Sequence, residues 1–194
     1  MDRLLDRLRK ALEDVERAPE PGPVVPSEAP VDDDMLVAFR RALEEADGEL
    51  AVVEDEAAAR RLVAERWPGR PLVDVEAAPT AAALLRAEIG IDRADRLVAE
   101  TGTVVRSYAS RAAARVALVP AVSVFLAHRD DLVRDLPEAL AHVAEAHGRG
   151  RAYTVLVTGP SRTADIEKQL VIPAHGPREL LVVLFRKAAL ESRA

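Results

Sequence analysis

The sequence predicts a single α/β domain in which helices cover both faces of a mostly parallel sheet, giving three layers. From about residue 50 to residue 90, short apolar runs typical of buried strands alternate with segments whose apolar residues recur at helical spacing. The run at 180–185, LLVVLF, is apolar throughout, as expected of a strand that is covered on both faces. The chain has 194 residues, of which 49% are hydrophobic, enough for one core.

We predict that residues 1–31 stand apart from a domain formed by residues 32–194. Apolar residues recur at helical spacing in residues 2–17 and predict an amphipathic helix, which packs either on its own domain or on a second copy in a homo-oligomer. Five prolines in residues 19–30 follow it. Because proline disfavours both helix and strand, this segment is expected to be a semi-extended linker.

The domain begins with elements that favour βαβ units. In chain order we predict a helix at 35–46 capped by the acidic run 32–34, a strand at 50–53, a helix from the cap Asp55 to Arg66, a strand at 71–75 and a helix around 80–87. Strands and helices in this alternation are typical of parallel sheets, since each crossover helix returns the chain to the same edge.

The second half is less regular. We predict a bend or hairpin within 96–106, a strand at 115–127 interrupted at Pro120, and a helix that Asp130 caps and Pro137 kinks or splits. A strand at 153–157, buried on both faces, follows. After it we predict a short helix at 165–170, capped by Ser161 or Thr163, and a last strand at 180–185. Six or seven strands result.

Composition excludes several function classes. The 27 basic and 33 acidic residues give a net charge of -6, so no chain-wide positive field exists to hold nucleic acid or an anionic membrane. Cysteine is absent, which rules out disulfides and cysteine-ligated iron–sulfur clusters on this polypeptide. No apolar run approaches the roughly 20 residues of a membrane span, and the first residues lack the apolar centre of a signal peptide. We expect a cytoplasmic protein.

The best candidate site is the loop after the strand at 153–157, TGPSRT. Loops at strand ends bind ligands in open α/β sheets, and here Gly159, Ser161, Arg162 and Thr163 are followed by Asp165 in the predicted helix. The Arg162 guanidinium suits a carboxylate or phosphate, while the two hydroxyls would orient it. Alternatively, Ser161 only caps the helix and Arg162 pairs with an acid such as Asp165, whose charge opposes an anion.

Two further segments carry candidate groups. Glu100 lies beside Thr101, Gly102 and Thr103, where it could act as a base or nucleophile; alternatively, it bonds backbone N–H groups of a turn in which Gly102 has positive φ. His175, before Gly176-Pro177, could act as acid or base opposite Glu100, or be a solvated turn residue.

No cofactor or metal is expected. His128, His142 and His147 lack a helical metal-binding spacing, and the sequence contains no Gly-x-Gly-x-x-Gly, no phosphate-loop lysine and no Gly-x-Ser-x-Gly. Dinucleotide, ATP and serine-hydrolase chemistry therefore have no motif support.

The sequence contains three motifs, which are ETGTVV at 100–105, TGPSRTADIE at 158–167 and HGP at 175–177. On these three motifs, the chain from about Asp33 onward resembles the LUD-domain lactate-utilisation protein C family. The resemblance implies the fold shared with sugar-phosphate isomerases and coenzyme A transferases. It also implies an accessory subunit of a lactate-oxidising system whose partner subunits carry iron–sulfur clusters, with a small anion as ligand. Ser123, in VPAVSV, stands where members of the family commonly carry histidine.

Two other hypotheses stay open at this stage. The chain could be an independent transferase or isomerase acting on a phosphorylated or coenzyme A-linked small molecule with Glu100 as base or nucleophile, by analogy with coenzyme A transferases. It could also be a scaffold that binds only protein. The sequence does not decide whether the chain catalyses a reaction by itself.

Overall fold

A computed structural model describes residues 33–77, 79–161, 163–164, 170–171 and 176–186. The helix and the proline-rich linker predicted for residues 1–31 lie outside the described residues.

The helices of the described chain are α1 (Asp33–Glu45), α2 (Glu56–Arg66), α3 (Ala81–Arg86), α4 (Arg111–Leu118) and α5 (Leu136–Gly148), with 3-10 turns at Val75–Ala77 and Arg129–Asp131. The strands are β1 (Glu49–Val53), β2 (Leu72–Asp74), β3 (Ile89–Arg93), β4 (Arg96–Val98), β5 (Thr103–Tyr108), β6 (Val122–His128), β7 (Leu132–Val133), β8 (Tyr153–Val157), β9 (Thr163–Ala164), β10 (Leu170–Val171) and β11 (Glu179–Phe185).

The central feature is a five-stranded sheet in the order β1-β11-β6-β3-β2, and every neighbouring pair in it is parallel. The predicted α/β class is confirmed. Local signals also placed two helices correctly. Asp55 caps α2 by accepting from the Ala58 N–H at 2.7 Å, as predicted. The helix predicted around 80–87 is α3, and its cap is Thr80. The apolar run LLVVLF forms β11, which lies between β1 and β6 and is buried except at its first residue.

A second sheet, in the order β7-β4-β5-β8, was not predicted. Its β4 and β5 form the antiparallel hairpin expected within 96–106. β8 lies at an edge of this sheet, where it pairs with β5 alone. The expectation that β8 is buried on both faces is therefore wrong, since Tyr153 and Leu156 are exposed on it.

Buried side chains pack on both faces of the parallel sheet and on the outer side of the second sheet. On one face of the parallel sheet, side chains such as Val124 and Val183 pack against Val63 of α2. On the other face, residues of β6 and β11 pack against α1, α4 and the inner side of the second sheet, in a cluster that includes Phe39, Phe125, Val182, Leu97 and Val104. The outer side of the second sheet is partly covered by α5. Helices thus cover both faces of the parallel sheet.

The strand predicted at 115–127 is wrong in its first half, because residues up to Leu118 form α4. Ser110 caps this helix by accepting from the Ala113 N–H, and Ala114 and Ala117 bury one face of it. Alanine is the strongest helix former. Pro120 therefore lies in the connection before β6 and does not interrupt a strand.

The helix predicted to start at Asp130 starts later. Leu132 and Val133 form β7, which pairs in parallel with β4. Asp135 caps α5 by accepting from the Glu138 N–H at 2.9 Å. Pro137 falls in the first turn of α5, where its missing N–H has no helical acceptor, so it neither kinks nor splits the helix.

Two other expectations differ from the structure. Strand β3 was missed, although it is an interior strand of the parallel sheet. Leu170, predicted at the end of a short helix, forms β10 and pairs with Ala164 of β9; residues 165–169 lie outside the described ranges. The part of the chain that the structure describes contains eleven strands, more than the six or seven predicted. None of its helices is long and apolar enough to span a bilayer.

Candidate functional site

Two of the predicted site loops are joined by a chain of threonine hydroxyls. The Oγ1 atom of Thr103 lies 2.7 Å from that of Thr101 and 2.6 Å from that of Thr158. Thr103 is the first residue of β5, and Thr158 directly follows β8. Because β5 and β8 are paired antiparallel, the start of one lies beside the end of the other, which brings the loops 100–103 and 158–161 together.

The third loop joins the second. The Ser161 N–H donates to the carbonyl of Pro177 at 2.8 Å. Gly176 approaches the same serine so closely that a Cβ on it would lie 2.7 Å from the Ser161 Cβ. We call the described residues of these loops, 100–103, 158–161 and 176–177, the three-loop junction.

The junction lies at the edge where strands of the parallel sheet begin. Gly102 packs on the last turn of α1, shortly before β1, and Gly159 packs on Ala46 in the same connection. Pro177 stands two residues before β11. Open α/β sheets usually bind ligands at the opposite, carboxyl edge, so the junction differs in position from the rule used to predict it. The reason is that the 158–161 loop follows β8 of the second sheet.

Two glycines make these close approaches feasible. Gly102 has φ +64° and Gly159 has φ +77°, both in the left-handed region that disfavours side chains. A Cβ on either residue would also overlap backbone atoms of the α1–β1 segment. The positive φ predicted for Gly102 is confirmed.

Glu100 is exposed at the rim of the junction. Its backbone N–H donates to the Arg134 carbonyl at 3.0 Å. Within the residues that the structure describes, no group donates a hydrogen bond to its carboxylate. Within the described residues the turn-stabilising interpretation of this carboxylate has no support, and its role as a base or nucleophile stays a prediction.

Other predicted site residues are only partly described. The backbone of Thr163 pairs with Val171 in the β9–β10 ribbon. Arg162, Asp165 and His175 lie outside the described residues, and their roles stay predictions. Sequence reasoning missed Thr158 as a site residue. The available signal was its hydroxyl at the start of the TGPSRT word.

Ser123, the residue that stands in place of a common family histidine, has a structural role here. It is buried as the second residue of β6, near the edge that also carries the junction, and its Oγ donates to the Ala117 carbonyl at 2.6 Å. That bond ties β6 to the end of α4.

A buried ionic cluster connects the two sheets. The Asp92 carboxylate of β3 accepts from the Tyr108 hydroxyl at 2.6 Å and lies 3.2 Å from Nε of Arg106. Burial raises the pKa of Asp92, although Arg106 and Tyr108 act in the opposite direction. Burial and the nearby Asp92 carboxylate raise the pKa of Tyr108. Asp92 and Tyr108 are buried and Arg106 is mostly so, and the cluster holds the two sheets together. Among the residues described, no group of three or more metal-ligating side chains is present.

The fold and the junction define an α/β domain with an appended mixed sheet whose loops meet at the amino edge of a parallel sheet. The family model described as the LUD domain matches residues 55–185, and the chain belongs to the LUD domain family.

Relatives and a solved structure agree with this membership. Lactate utilization protein C of Shouchella clausii (strain KSM-K16) is 33% identical over 93 residues, which is 47% of this chain and 41% of the relative. The protein of the same name from Geobacillus sp. (strain WCH70) is 29% identical over 139 residues, 67% of this chain and 57% of the relative. The chain thus spans about half the length of these curated relatives.

A crystal structure of a DUF162 family protein from Deinococcus radiodurans has the same fold. It superimposes with a TM-score of 0.62 over 80% of this chain and 99% of that chain, at 18% sequence identity.

Proposed function

We propose that this chain takes part in lactate utilisation as an accessory component that binds a small carboxylate at the three-loop junction. The supporting observation is the convergence of the three segments carrying the family-like words on one edge, in a chain whose curated relatives are named lactate utilization protein C. A cytoplasmic location belongs to the same proposal.

The chemistry at the junction suits a 2-hydroxycarboxylate. Threonine hydroxyls and the exposed carboxylate of Glu100 can form hydrogen bonds with the hydroxyl of the ligand. Arg162, next in sequence to Ser161, is proposed to bind the ligand's carboxylate through two parallel guanidinium hydrogen bonds. His175, next to Gly176, is proposed to share proton transfer with Glu100. In this proposal the three-loop junction binds the carboxylate ligand and transfers its protons.

Oxidation of lactate to pyruvate releases two electrons and two protons. Because the 194 residues contain no cysteine, we assign the electrons to iron–sulfur partner subunits and the protons to Glu100, His175 and solvent. This chain would then hold and orient the carboxylate while a partner accepts the electrons.

Calorimetric titration of the purified chain with L-lactate and with pyruvate tests the binding step. We expect saturable binding that Arg162→Ala weakens by at least about tenfold, since a charge-assisted hydrogen bond contributes about 1.5–3 kcal/mol. Arg61→Ala is the matched control, because Arg61 is an exposed arginine on α2. Absence of binding, or equal loss in both variants, would contradict the proposal.

A second candidate function is that of an independent transferase or isomerase. It is favoured by the exposed carboxylate of Glu100, to which no described group donates a hydrogen bond. Assays of the chain alone with acyl-coenzyme A and with sugar phosphates separate the two candidates. The accessory role predicts no turnover of either class. Steady turnover that Glu100→Gln abolishes would establish the enzyme. Affinity capture on the full chain, followed by a search for iron–sulfur proteins, tests the partner.

A further inference from the structure

A pocket lies on the outer side of the mixed sheet, away from the three-loop junction. Its volume is about 600 Å³, within the range of roughly 300–1,000 Å³ typical of small-molecule sites. The last turns of α5 form one wall, β5 forms the floor, and the β3–β4 connection and the segment after α5 close the sides. The lining residues are Asp95, Arg96, Val105, Ser107, His142, Val143, Ala146, Arg149 and Arg151.

Three guanidinium groups line this space, and two of them have a carboxylate within ion-pair distance. Arg151 donates to the Ser107 carbonyl at 2.6 Å and has no carboxylate within ion-pair distance in the described chain. Arg96 donates to the Asp95 carbonyl, and its nearest carboxylate, that of Asp131, lies 3.7 Å away. Arg149 is largely exposed and pairs with Glu145 at 3.4 Å.

The lining also contains one acidic residue, Asp95. One carboxylate oxygen of Asp95 accepts from Arg106 at 2.8 Å, and the other accepts from the Ser107 N–H at 2.6 Å. Arg106 is not part of the lining, and it is shared between Asp95 and the buried Asp92. The lining itself carries three arginines and one acidic residue, in a chain whose net charge is -6.

Stabilisation of the carboxyl end of α5 explains only part of the pattern. Basic residues often interact with the last carbonyls of a helix, and Arg149 follows α5 directly. However, Arg96 comes from β4, and the Arg151 guanidinium bonds a carbonyl of β5 and not one of the helix. The end of α5 therefore accounts for Arg149 alone among the three arginines.

We propose that this pocket binds a small organic dianion, such as a dicarboxylate or a phosphate monoester, with its charged end between Arg96, Arg149 and Arg151. The apolar side chains of Val105, Val143 and Ala146 would contact the body of the ligand. This site is independent of the proposed lactate role.

His142 adds a neutral donor to the pocket. Its Nδ1 lies 2.8 Å from a guanidinium nitrogen of Arg96, which is an obligatory donor, so Nδ1 is the acceptor and the ring proton resides on Nε2. Burial, and then the charge of Arg96, lower the pKa of His142, while Glu138 and Glu145 act in the opposite direction and Arg149 adds to the lowering. The neutral ring can donate Nε2–H to an anionic oxygen.

The position in the fold agrees with ligand binding. Asp95 and Arg96 lie two and three residues after the carboxyl end of β3, an interior strand of the parallel sheet. Open α/β sheets commonly bind ligands beyond this edge. The three-loop junction lies at the opposite edge, so the two sites do not share residues.

The test is calorimetric titration of the full chain with inorganic phosphate and, separately, with malonate, using acetate as the monoanion control. We expect one saturable site for at least one dianion and much weaker binding of acetate. A response to phosphate alone would assign a phosphorylated ligand, and a response to malonate alone a dicarboxylate. If neither dianion binds with a Kd below about 10 mM, the proposal is wrong.

Variants locate the binding. Arg149→Glu and Arg151→Ala should each weaken it by at least about tenfold, whereas Arg61→Glu, a charge reversal on the exposed face of α2, should leave it within about twofold. Arg149 is an exposed side chain, so Arg149→Glu is informative even if Arg151→Ala fails to fold. If Arg162→Ala abolishes dianion binding and Arg149→Glu does not, the dianion binds at the junction and this inference is overturned.

Discussion

Replacing Gly102 by alanine tests whether the three-loop junction is held in place by close backbone packing. A Cβ at Gly102 would lie 2.6 Å from the carbonyl carbon of Ala42 and from the Cα of Leu43, and closer still to the Leu43 nitrogen. Since Cβ atoms essentially never approach other heavy atoms within 3.0 Å, clearing the two carbons needs a separation of 0.4 Å between the loop and the last turn of α1, and clearing the nearer Leu43 nitrogen needs more. Forced shifts of this kind cost about 1–3 kcal/mol.

Gly69 offers a matched control. Its φ of +71° is close to the +64° of Gly102, but a Cβ on Gly69 would meet nothing within 4 Å. The cost of a left-handed side chain, about 1–2 kcal/mol, and the opposing gain of about 0.4–1 kcal/mol from a stiffer unfolded chain are shared by both substitutions. Their difference therefore isolates the steric cost at the junction.

Urea denaturation of Gly102→Ala and Gly69→Ala measures this difference. We expect Gly102→Ala to be less stable by about 1–3 kcal/mol, which corresponds to a melting temperature lower by about 2–12 °C for a chain of this size. Carboxylate binding at the junction should weaken in Gly102→Ala alone. If the two variants agree within about 0.5 kcal/mol, the loop is not held against α1 as the structure indicates, and the reasoning fails.

Two further changes probe buried and half-buried charges. Tyr108→Phe removes the donor to the buried Asp92 carboxylate, so unfolding in urea should need about 1.5–3 kcal/mol less than in the parent chain; a loss under about 0.5 kcal/mol would show that the bond is unimportant. Arg96→Met removes the like charge beside His142, so NMR titration should give a higher pKa for that ring, and an unchanged pKa would mean that burial alone lowers it. Because the folded-state pKa of His142 is lowered, the unfolded chain binds more protons below the ordinary histidine value of about 6.5. His142 should therefore lower stability as pH falls through that range, and this part of the pH dependence should shrink in Arg96→Met.

The elements that could be predicted are those specified by neighbours in sequence. Asp55 and Thr80 lie directly before helices and accept from the N–H three residues on, so their caps depend on local geometry alone. The run 180–185 could be assigned to an interior strand because no polar residue interrupts it. The hairpin around Gly102 likewise followed from one glycine between two apolar runs.

The errors occurred where tertiary pairing decides the structure. Leu132 and Val133 are a strand only because β4 lies beside them. Residues 111–118 have apolar and alanine positions compatible with either element, and burial of Ala114 and Ala117 against the core selects the helix. The exposure of β8 depends on which sheet it joins, and its sequence does not specify that.

The sites depend on longer separations still. Thr103 and Thr158 are 55 residues apart in sequence, and their hydrogen bond exists because β5 and β8 pair. Arg96 and His142 are separated by 46 residues and meet only because α5 packs on the mixed sheet. Word similarity could identify the loops of the junction, but no sequence signal brings distant arginines to one pocket.

Strand β5 links the two candidate sites. Thr103 at its start forms hydrogen bonds with Thr101 and Thr158 in the junction. Ser107, four residues further on, lines the pocket that contains the three arginines. At a rise of about 3.4 Å per residue, these residues are about 14 Å apart, too far for one small carboxylate to reach both. The chain should therefore be able to bind lactate at the junction and a dianion in the pocket at the same time. Any influence of one on the affinity of the other must be reciprocal, because both are equilibrium binding steps on one chain. Titrating each ligand in the presence of saturating amounts of the other measures this, and mutual exclusion would show that the two ligands compete for a single site.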